Sequence, residues 1–378
     1  MNVAIASLFL PSRCKTSLGY QVHYFANKMV ERGHSVTVFS RNGSEEDASY
    51  SLRAVHTPRN FEEFGFSWDL RRVDFSGFDV LHAHGNDWFL WGRERPRHIH
   101  TFHGSYFAEF LHEPRTKEKL RLLALAACQT ASGALCDNAI AVSESTRSFL
   151  PGICRVIYNG LDLKIFTPGG KKSNAPVILF VGKLWGRKRG DLLVRIFREE
   201  ILPRLPDAKL WMVCDEKVEG RGVLWFGRVC LRLLAQLYQK AWVLCSPGLN
   251  PSIGLSTIEA MACGTTVVAT VNQGSTEATL SGRYGLLAKK EDLGHTLLRV
   301  LQDKSLRERF ELSGIERASS FSWESVCAQY EAIYRGDAQS CGVPAASTLK
   351  RSQPTSGNPH KGPTEPAAGP LHEIPEGR

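Results

Sequence analysis

Residues 250–270 read NPSIGLSTIEAMACGTTVVAT, and the pattern of this stretch decides the fold class. Leu255–Ala262 predicts a helix, and the β-branched run Thr265–Ala269 predicts a buried strand directly after it. The same alternation of short apolar runs and longer helical stretches extends in both directions, from residue 2 to about residue 335. Such alternation is typical of an α/β protein built on parallel sheets.

A turn-rich, basic break at residues 167–176 (TPGGKKSNAP) divides this pattern into two halves. The predicted strands are Val3–Leu8, Ser35–Phe39, Val80–His84, Ile99–His103, Ala139–Val142, Val177–Val181, Lys209–Cys214, Gly222–Phe226, Trp242–Cys245 and Thr265–Ala269. We therefore predict two α/β domains, residues 1–167 and 168–336, with a ligand held between them at the carboxyl ends of the strands. Residues 337–378 are rich in proline and poor in bulky apolar side chains, which predicts a disordered tail.

The amino-acid composition excludes several classes of protein and suggests which kinds of partner the protein binds. A 43% hydrophobic and 22% charged chain is not mostly disordered, collagen-like or a small disulfide scaffold. The formal net charge of +9 suggests a phosphate-bearing small molecule, a nucleic acid or an anionic membrane surface as partner. No apolar run approaches the ~18 residues of a membrane crossing, and no export signal is recognised. The ten cysteines form no C-x-x-C pair, so we expect reduced thiols and a cytoplasmic location.

The helix predicted from Leu255 begins beside a glycine, Gly254, so its first free N–H groups would be open to an anion. A diphosphate is a suitable ligand for such a helix start. Glu259 lies one turn further into the helix, and its carboxylate could accept two hydrogen bonds from a vicinal diol such as a ribose. The alternative is an ordinary surface glutamate.

A second candidate stretch, VGKLWGRKRG at residues 181–190, follows a predicted strand. Lys183 and Lys188 lie five residues apart across a turn. Two cations at a strand end suit the two phosphates of a nucleotide diphosphate that leaves as an anion. A solvated basic turn is an equally good interpretation of this stretch alone.

Five histidines cluster in two segments, DVLHAHGND and RHIHTFHG. His82 and His84 would lie on one face of a strand, as half of a metal site would require. Neither segment supplies the cysteine or carboxylate ligands of a closed zinc site, so contact of His103 with a sugar or phosphate, or simple packing, is the better interpretation. The cations of residues 115–121 open another predicted helix, where a solvated face is favoured over contact with an anionic surface.

Taken in order, these pieces resemble the family 4 glycosyltransferases. The resemblance covers residues 2–335 and is carried by a set of short motifs. These are Gly19, ERGHSVTVFS at 31–40, DVLHAHG at 79–85, TFHG at 101–104, AVSES at 141–145, VIYNGLDLKIFTP at 156–168, VGKLWGRKRG at 181–190, EAMACGTTVVAT at 259–270 and FSWESVCAQYEAIY at 321–334. It implies a GT-B fold of two Rossmann-like domains facing each other across a cleft, the second domain holding the nucleotide sugar. It also implies that the last helix, residues 323–334, returns to the first domain.

The resemblance assigns roles to particular residues. The residues expected at the donor diphosphate are Gly19, Lys183, Lys188, Gly254, Leu255 and Ser256. Glu259 matches the second acid of the family's E-x7-E motif, which binds the ribose. His103 matches the histidine near the transferred sugar and is expected, with Lys183 and Lys188, to be catalytic. Glu277 matches a later acidic position.

Three positions depart from the family's pattern. Pro251 stands where the first acid of E-x7-E should hold the donor sugar's hydroxyls, so Asn250 and Ser252 are expected to contact the sugar through weaker, uncharged hydrogen bonds. Lys183 replaces the usual arginine and exchanges a bidentate fork for a point charge. Ser17-Leu18-Gly19 replaces a pair of adjacent glycines in the loop that closes over the donor.

The resemblance therefore predicts a retaining hexosyltransferase that uses a UDP- or GDP-sugar and an acceptor glycan or glycolipid. Such an enzyme would act in glycan, polysaccharide or glycolipid biosynthesis. It implies no metal, no other cofactor and no nucleic-acid partner. The positive charge would allow peripheral contact with the anionic inner face of a membrane. One alternative is a module that binds a nucleotide sugar but has lost transferase activity, which Pro251 suggests. A second is a nucleotide-sugar epimerase, and a metal-dependent hydrolase ranks last.

Overall fold

The structure is a computed structural model that describes residues 1–11, 17–41, 45–56, 62–90, 95–113, 115–150, 152–249 and 253–337. Two α/β units follow each other along the chain. Each consists of a parallel sheet with the helices that cover it, and they are called the first layer and the second layer. Apart from Asp337, the tail predicted to be disordered lies outside the described residues, and so do Asn250, Pro251 and Ser252.

The first layer is a sheet in which seven strands are described. Its strands are β1 (Asn2–Ala6), β2 (Ser35–Ser40), β3 (Ser51–Ala54), β4 (Val80–Ala83), β5 (Arg97–Phe102), β6 (Asn138–Ala141) and β7 (Arg155–Val156). Its helices are α1 (Ser17–Glu31), α2 (Glu62–Asp69), α3 (Tyr106–His112), α4 (Thr116–Leu135) and α5 (Glu144–Ser148), with a 3₁₀ turn at Leu70–Arg72.

The second layer is a sheet in which six strands are described. Its strands are β8 (Val177–Val181), β9 (Lys209–Val213), β10 (Val223–Trp225), β11 (Val243–Ser246), β12 (Thr266–Thr270) and β13 (Leu286–Ala288). Its helices are α6 (Gly190–Ile196, continued by a π-helical turn over Phe197–Ile201), α7 (Leu231–Lys240), α8 (Leu255–Ala262), α9 (Gln273–Ala278), α10 (Leu293–Gln302) and α11 (Lys304–Ser319). The helix that follows, α12 (Trp323–Arg335), packs on the first layer. A 3₁₀ turn at Gly186–Lys188 precedes α6.

Both sheets are doubly wound. Their strand orders are β3-β2-β1-β4-β5-β6-β7 and β10-β9-β8-β11-β12-β13, and every pairing between these strands is parallel. In each sheet the order reverses beside the first strand, at β1/β4 and at β8/β11. A reversal of this kind opens a crevice at the carboxyl ends of the strands, where α/β proteins bind ligands. The predicted α/β class with parallel sheets is confirmed.

The last helix of the chain packs on the first sheet. Trp323, Tyr330 and Tyr334 of α12 are buried in one hydrophobic cluster with residues of β1 and α1. Glu331 accepts hydrogen bonds from the Arg32 Nε and Nη2 atoms at 2.6 and 2.8 Å. The first layer therefore depends on a helix supplied by the far end of the chain.

The structure also contains short strands that the sequence patterns do not predict. They are β3, β7 and β13, of two to four residues each. A three-residue strand is too short for a period of two to be recognised.

None of the helices described is both long and apolar enough to cross a membrane.

We predict that Gly160→Ala destabilises the protein. A Cβ built on Gly160 would overlap the ring of Trp323, which is itself 4% exposed and cannot move aside freely. We expect a loss of roughly 1–3 kcal/mol, as for other overpacked sites. Urea unfolding followed by circular dichroism measures it.

The matched control is Gly77→Ala, because a Cβ at Gly77 meets nothing within 4 Å. An unfolding midpoint of Gly160→Ala equal to that of the control would contradict close packing of α12 at this point.

Candidate functional site

A cleft of about 720 Å³ lies at the carboxyl ends of both sheets. On the first sheet it is lined by His84 and His103, which directly follow β4 and β5. On the second sheet it is lined by Lys188, from the turn after β8, and by the start of α8. The parallel topology thus brings together segments that are far apart in the sequence.

The start of α8 presents backbone N–H groups to the cleft. Gly254 is the N-cap residue, in an extended conformation (φ −74°, ψ 115°), and has no side chain that could cap the helix. Gly254, Leu255 and Ser256 all line the cleft. Free N–H groups and the positive end of the helix dipole make this a suitable place for an anionic group.

Lys188 is a cation that lines the same cleft as this helix start. Its aliphatic carbons pack over Gly182, where an added Cβ would lie 3.3 Å from them. The next residue, Arg189, adopts a left-handed conformation (φ 54°) that turns the chain into α6. Burial lowers the pKa of Lys188, while the charge of Glu259 opposes this shift.

Lys183 does not join this group. Its side chain is exposed, it is absent from the cleft lining, and it interacts electrostatically with Asp215. The role predicted for Lys183 at the diphosphate stays a prediction, whereas Lys188, Gly254, Leu255, Ser256 and Glu259 share one cleft.

Glu259 lies on α8 and lines the same cleft. Tyr238 of α7, whose side chain is buried, donates a hydrogen bond to Glu259 Oε2 at 2.8 Å. Burial raises the pKa of Glu259 to about 7, although the Tyr238 hydrogen bond and the Lys188 charge act in the opposite direction. No sequence pattern singles out Tyr238, because in an amphipathic helix a buried tyrosine is indistinguishable from an ordinary core residue.

His103 and His84 form the opposite wall. His84 Nδ1 lies 2.9 Å from His103 Nε2. Burial lowers the pKa of His103 to about 3, and it also holds the pKa of His84 well below the usual range. Both rings are therefore neutral at physiological pH.

The remaining histidines are fixed by protein partners. His82 contacts the Tyr334 hydroxyl at 2.6 Å and Thr101 Oγ1 at 2.8 Å. His98 and His100 contact Asp87 at 2.7 and 2.8 Å. Burial alone would raise the pKa of Asp87, but these two histidines hold it well below its usual range. Within the described part of the chain, no group of three or more His, Cys, Asp or Glu side chains is placed to hold a metal ion.

Gly19 lies in the first turn of α1 and not in a loop before it. Its neighbours Leu18, Tyr20 and Gln21 line the cleft, whereas Gly19 does not. The contact predicted for Gly19 stays untested. The predicted sugar contacts of Asn250 and Ser252 fall outside the described residues, as does Pro251.

Glu277 connects the two layers. Its carboxylate accepts hydrogen bonds from the backbone N–H groups of Glu144 and Ser145 at 2.6 and 3.0 Å. Glu277 belongs to α9 of the second layer, while Glu144 and Ser145 begin α5 of the first. The acid thus caps a helix of the other layer.

Relatives among curated proteins are D-inositol 3-phosphate glycosyltransferases. The protein from Kribbella flavida is 30% identical over 218 residues, covering 49% of this chain and 51% of that protein. The protein from Stackebrandtia nassauensis is 27% identical over 376 residues, covering 83% and 85%. For the relatives from Kribbella flavida and Nocardioides sp., the match spans about half of their length.

Solved structures of glycosyltransferases share the fold. Sucrose-phosphate synthase from Thermosynechococcus elongatus superposes with a TM-score of 0.73 at 20% identity, covering 89% of this chain and 98% of that one. Anabaena Alr3699/HepE in complex with UDP-glucose superposes with a TM-score of 0.71 at 14% identity, covering 89% and 100%.

Two family models match the chain in succession. The model described as Glycosyltransferase Family 4 matches residues 18–165, and the model described as Glycosyl transferases group 1 matches residues 175–303. The matches fall on the first and second layers respectively and together cover most of the chain. The chain belongs to the family 4 glycosyltransferases, with the GT-B fold.

Proposed function

We propose that the protein is a retaining glycosyltransferase that moves a hexose from a UDP- or GDP-sugar to an acceptor hydroxyl. It would act in the cytoplasm, in glycan, polysaccharide or glycolipid biosynthesis. The observation that carries this proposal is the convergence of Lys188, the open start of α8 and Glu259 in one cleft. A cation, free N–H groups and a carboxylate match the diphosphate and the ribose diol of a nucleotide sugar.

The comparisons support the substrate classes. The curated relatives are named as enzymes that glycosylate an inositol phosphate, a hydroxylated acceptor. Anabaena HepE was solved with UDP-glucose and also with UDP and glucose. We extend both classes to this chain as part of the proposal.

Transfer breaks the bond between the anomeric carbon and a diphosphate oxygen and forms a bond from that carbon to the acceptor hydroxyl oxygen. Negative charge grows on the leaving diphosphate, which takes up the proton of the acceptor hydroxyl. Lys188 and the N–H groups at the start of α8 would stabilise that charge, since both are fixed in place before the reaction. Glu259 would accept hydrogen bonds from the ribose hydroxyls. We propose that no metal ion or other cofactor is required, so activity should survive EDTA.

The decisive experiment is a donor screen by nucleotide release with UDP-, GDP- and ADP-glucose and related sugars, with and without EDTA. A single preferred nucleotide sugar supports the proposal, and NMR of the product anomer then tests retention. If no donor is bound or turned over, the proposal is wrong.

Pro251 favours one competing function, a nucleotide-sugar-binding module without transfer, because the family's first E-x7-E acid is replaced. Isothermal titration distinguishes the two. Tight binding of a nucleotide sugar without transfer or hydrolysis would favour the binding module.

We predict that Lys188→Ala lowers turnover by roughly 10²–10³-fold, as does the loss of one preorganised donor elsewhere. The measurement is the rate of nucleotide release at saturating donor. Lys217→Ala is a suitable control, because Lys217 is exposed and paired with Glu219 away from the cleft. Turnover of Lys188→Ala equal to that of this control would remove the role proposed for Lys188.

We predict that Glu259→Gln weakens donor binding and stabilises the fold. The folded protein holds the Glu259 pKa at about 7 against a usual 4.5, so the wild type loses stability as the pH rises between these values. Allowing for partial exposure, the variant should gain on the order of 1–2 kcal/mol at pH 8 and little at pH 4.5. Urea unfolding at both pH values measures the gain.

Binding of UDP-glucose to the wild type should weaken as the pH falls below about 7, because the protonated carboxyl accepts fewer hydrogen bonds. The diphosphate of UDP-glucose does not titrate there, so the protein alone accounts for the change. In Glu259→Gln, affinity should be lower and independent of pH. Unchanged affinity at pH 8 would argue against the ribose contact.

The proposal includes peripheral contact with an anionic membrane through α4. Arg115 and Arg121 are paired with Glu113 and Glu118, so the cations alone do not carry it. The same helix leaves Leu120 72% exposed, and apolar side chains beside cations are typical of interfacial helices. Leu120→Ser should reduce co-sedimentation with vesicles containing phosphatidylglycerol; equal sedimentation of both proteins would contradict the contact.

A further inference from the structure

Among the described residues that line the cleft, three have a buried polar atom without a hydrogen-bond partner: His84 at Nε2, Gln21 at Oε1 and Asn86 at Nδ2. These residues are 5%, 9% and 7% exposed, so bulk water does not compensate the three atoms. Buried polar atoms normally have a hydrogen-bond partner, and an unpaired atom on a residue that lines a cleft indicates a partner supplied by a bound ligand.

His103 cannot supply a free nitrogen to a ligand in this arrangement. Its Nε2 faces His84 Nδ1 at 2.9 Å. Its ring also hydrogen-bonds to the Asn159 side chain, a contact that raises the pKa of His103 against the larger effect of burial. With Nε2 engaged, Nδ1 is the nitrogen left for Asn159.

The proton positions follow from this chain of contacts. A neutral imidazole carries one N–H and one lone pair. We assign the N–H of His103 to Nδ1, donating to the Asn159 oxygen, so that its Nε2 accepts from the Nδ1–H of His84. His84 Nε2 is then a buried lone pair at the cleft.

Gln21 provides a second acceptor on the same wall. Its Nε2 donates to the carbonyl oxygen of Gly160 at 3.0 Å, which leaves Oε1 without a partner. Gln21 lies one turn before Phe25 on α1, and the Phe25 ring centroid is 5.7 Å from that of His84. Gln21 and His84 both line the cleft on the side of the first layer.

Two neutral acceptors and one amide donor suit a ligand whose groups both donate and accept hydrogen bonds. A phosphate or carboxylate could accept from Asn86 Nδ2 but could not donate to His84 Nε2 or Gln21 Oε1, whereas the hydroxyl groups of a sugar or other polyol can do both. We propose that His84 Nε2 and Gln21 Oε1 accept hydrogen bonds from hydroxyl groups of the polyol moiety bound in the cleft, so that His84 makes the nitrogen contact in place of His103. This inference rests on the proposed function and specifies its polyol-binding wall.

The hydroxyl groups could come from the donor hexose or from the acceptor, and NMR of protein labelled with ¹⁵N-histidine distinguishes the two. A lone-pair nitrogen and an N–H nitrogen have well-separated ¹⁵N resonances, so the spectrum of the free protein tests the assigned tautomer. A shift of His84 Nε2 with UDP-glucose but not with UDP identifies the donor hexose. A shift only on adding myo-inositol or glucose to the UDP complex identifies the acceptor. If no probe shifts the resonance, the proposal is overturned.

Two variants of His84 separate ligand contact from structural support. In His84→Asn the side-chain amide replaces Nδ1, so the donor to His103 is kept and the acceptor at Nε2 is lost. In His84→Gln the longer side chain places its amide near the Nε2 position. We expect His84→Asn to weaken the affected ligand roughly tenfold, as for loss of a buried hydrogen bond, with UDP affinity unchanged and much of the loss restored in His84→Gln.

Equal losses in both variants, or a loss of UDP affinity in either, would mean that His84 only supports the fold. Failure of the proposed function would differ: neither UDP nor UDP-glucose would then bind to the wild-type protein.

Discussion

The parallel arrangement of both sheets is the constraint on which the rest of this structure depends. Because all strands of a sheet end at the same edge, every loop after a strand opens on one side. The two edges meet at the cleft, and His84, Lys188 and Glu259 reach it from separate strand and helix ends. A change of direction in any one central strand would remove its loop from the cleft.

The two sides of the cleft differ in charge, and burial of their side chains accounts for the difference. On the second layer, Lys188, Glu259 and the start of α8 offer charge and N–H groups, and burial moves both titratable groups towards neutrality until a ligand compensates them. On the first layer, the rings of His84 and His103 are neutral and offer hydrogen bonds without charge. This division suits a ligand that is anionic at one end and hydroxylated at the other.

The fold class and most strands could be predicted because alternating apolar and amphipathic runs are long enough to show their periods. Lys188, Gly254 and Glu259 line one cleft, and each lies in a local pattern that the sequence makes recognisable; their binding roles stay predictions. Tyr238 and Gln21 could not, because their roles depend on contacts with Glu259 and Gly160. Lys183 is a case in which the sequence pattern does not fix the position. It lies in the same basic stretch as Lys188, yet its side chain is exposed and does not line the cleft.

The position of α12 also affects how the polypeptide is made. Trp323, Tyr330 and Tyr334 complete the core of the layer that the ribosome synthesises first. That layer must therefore remain open on one side, with apolar surface uncovered, while the whole second layer is translated and folds. The second layer has its own core clusters, so its folding does not depend on α12. The usual N-terminal-first order of domain maturation is thus reversed here, and the half made first is the last to close.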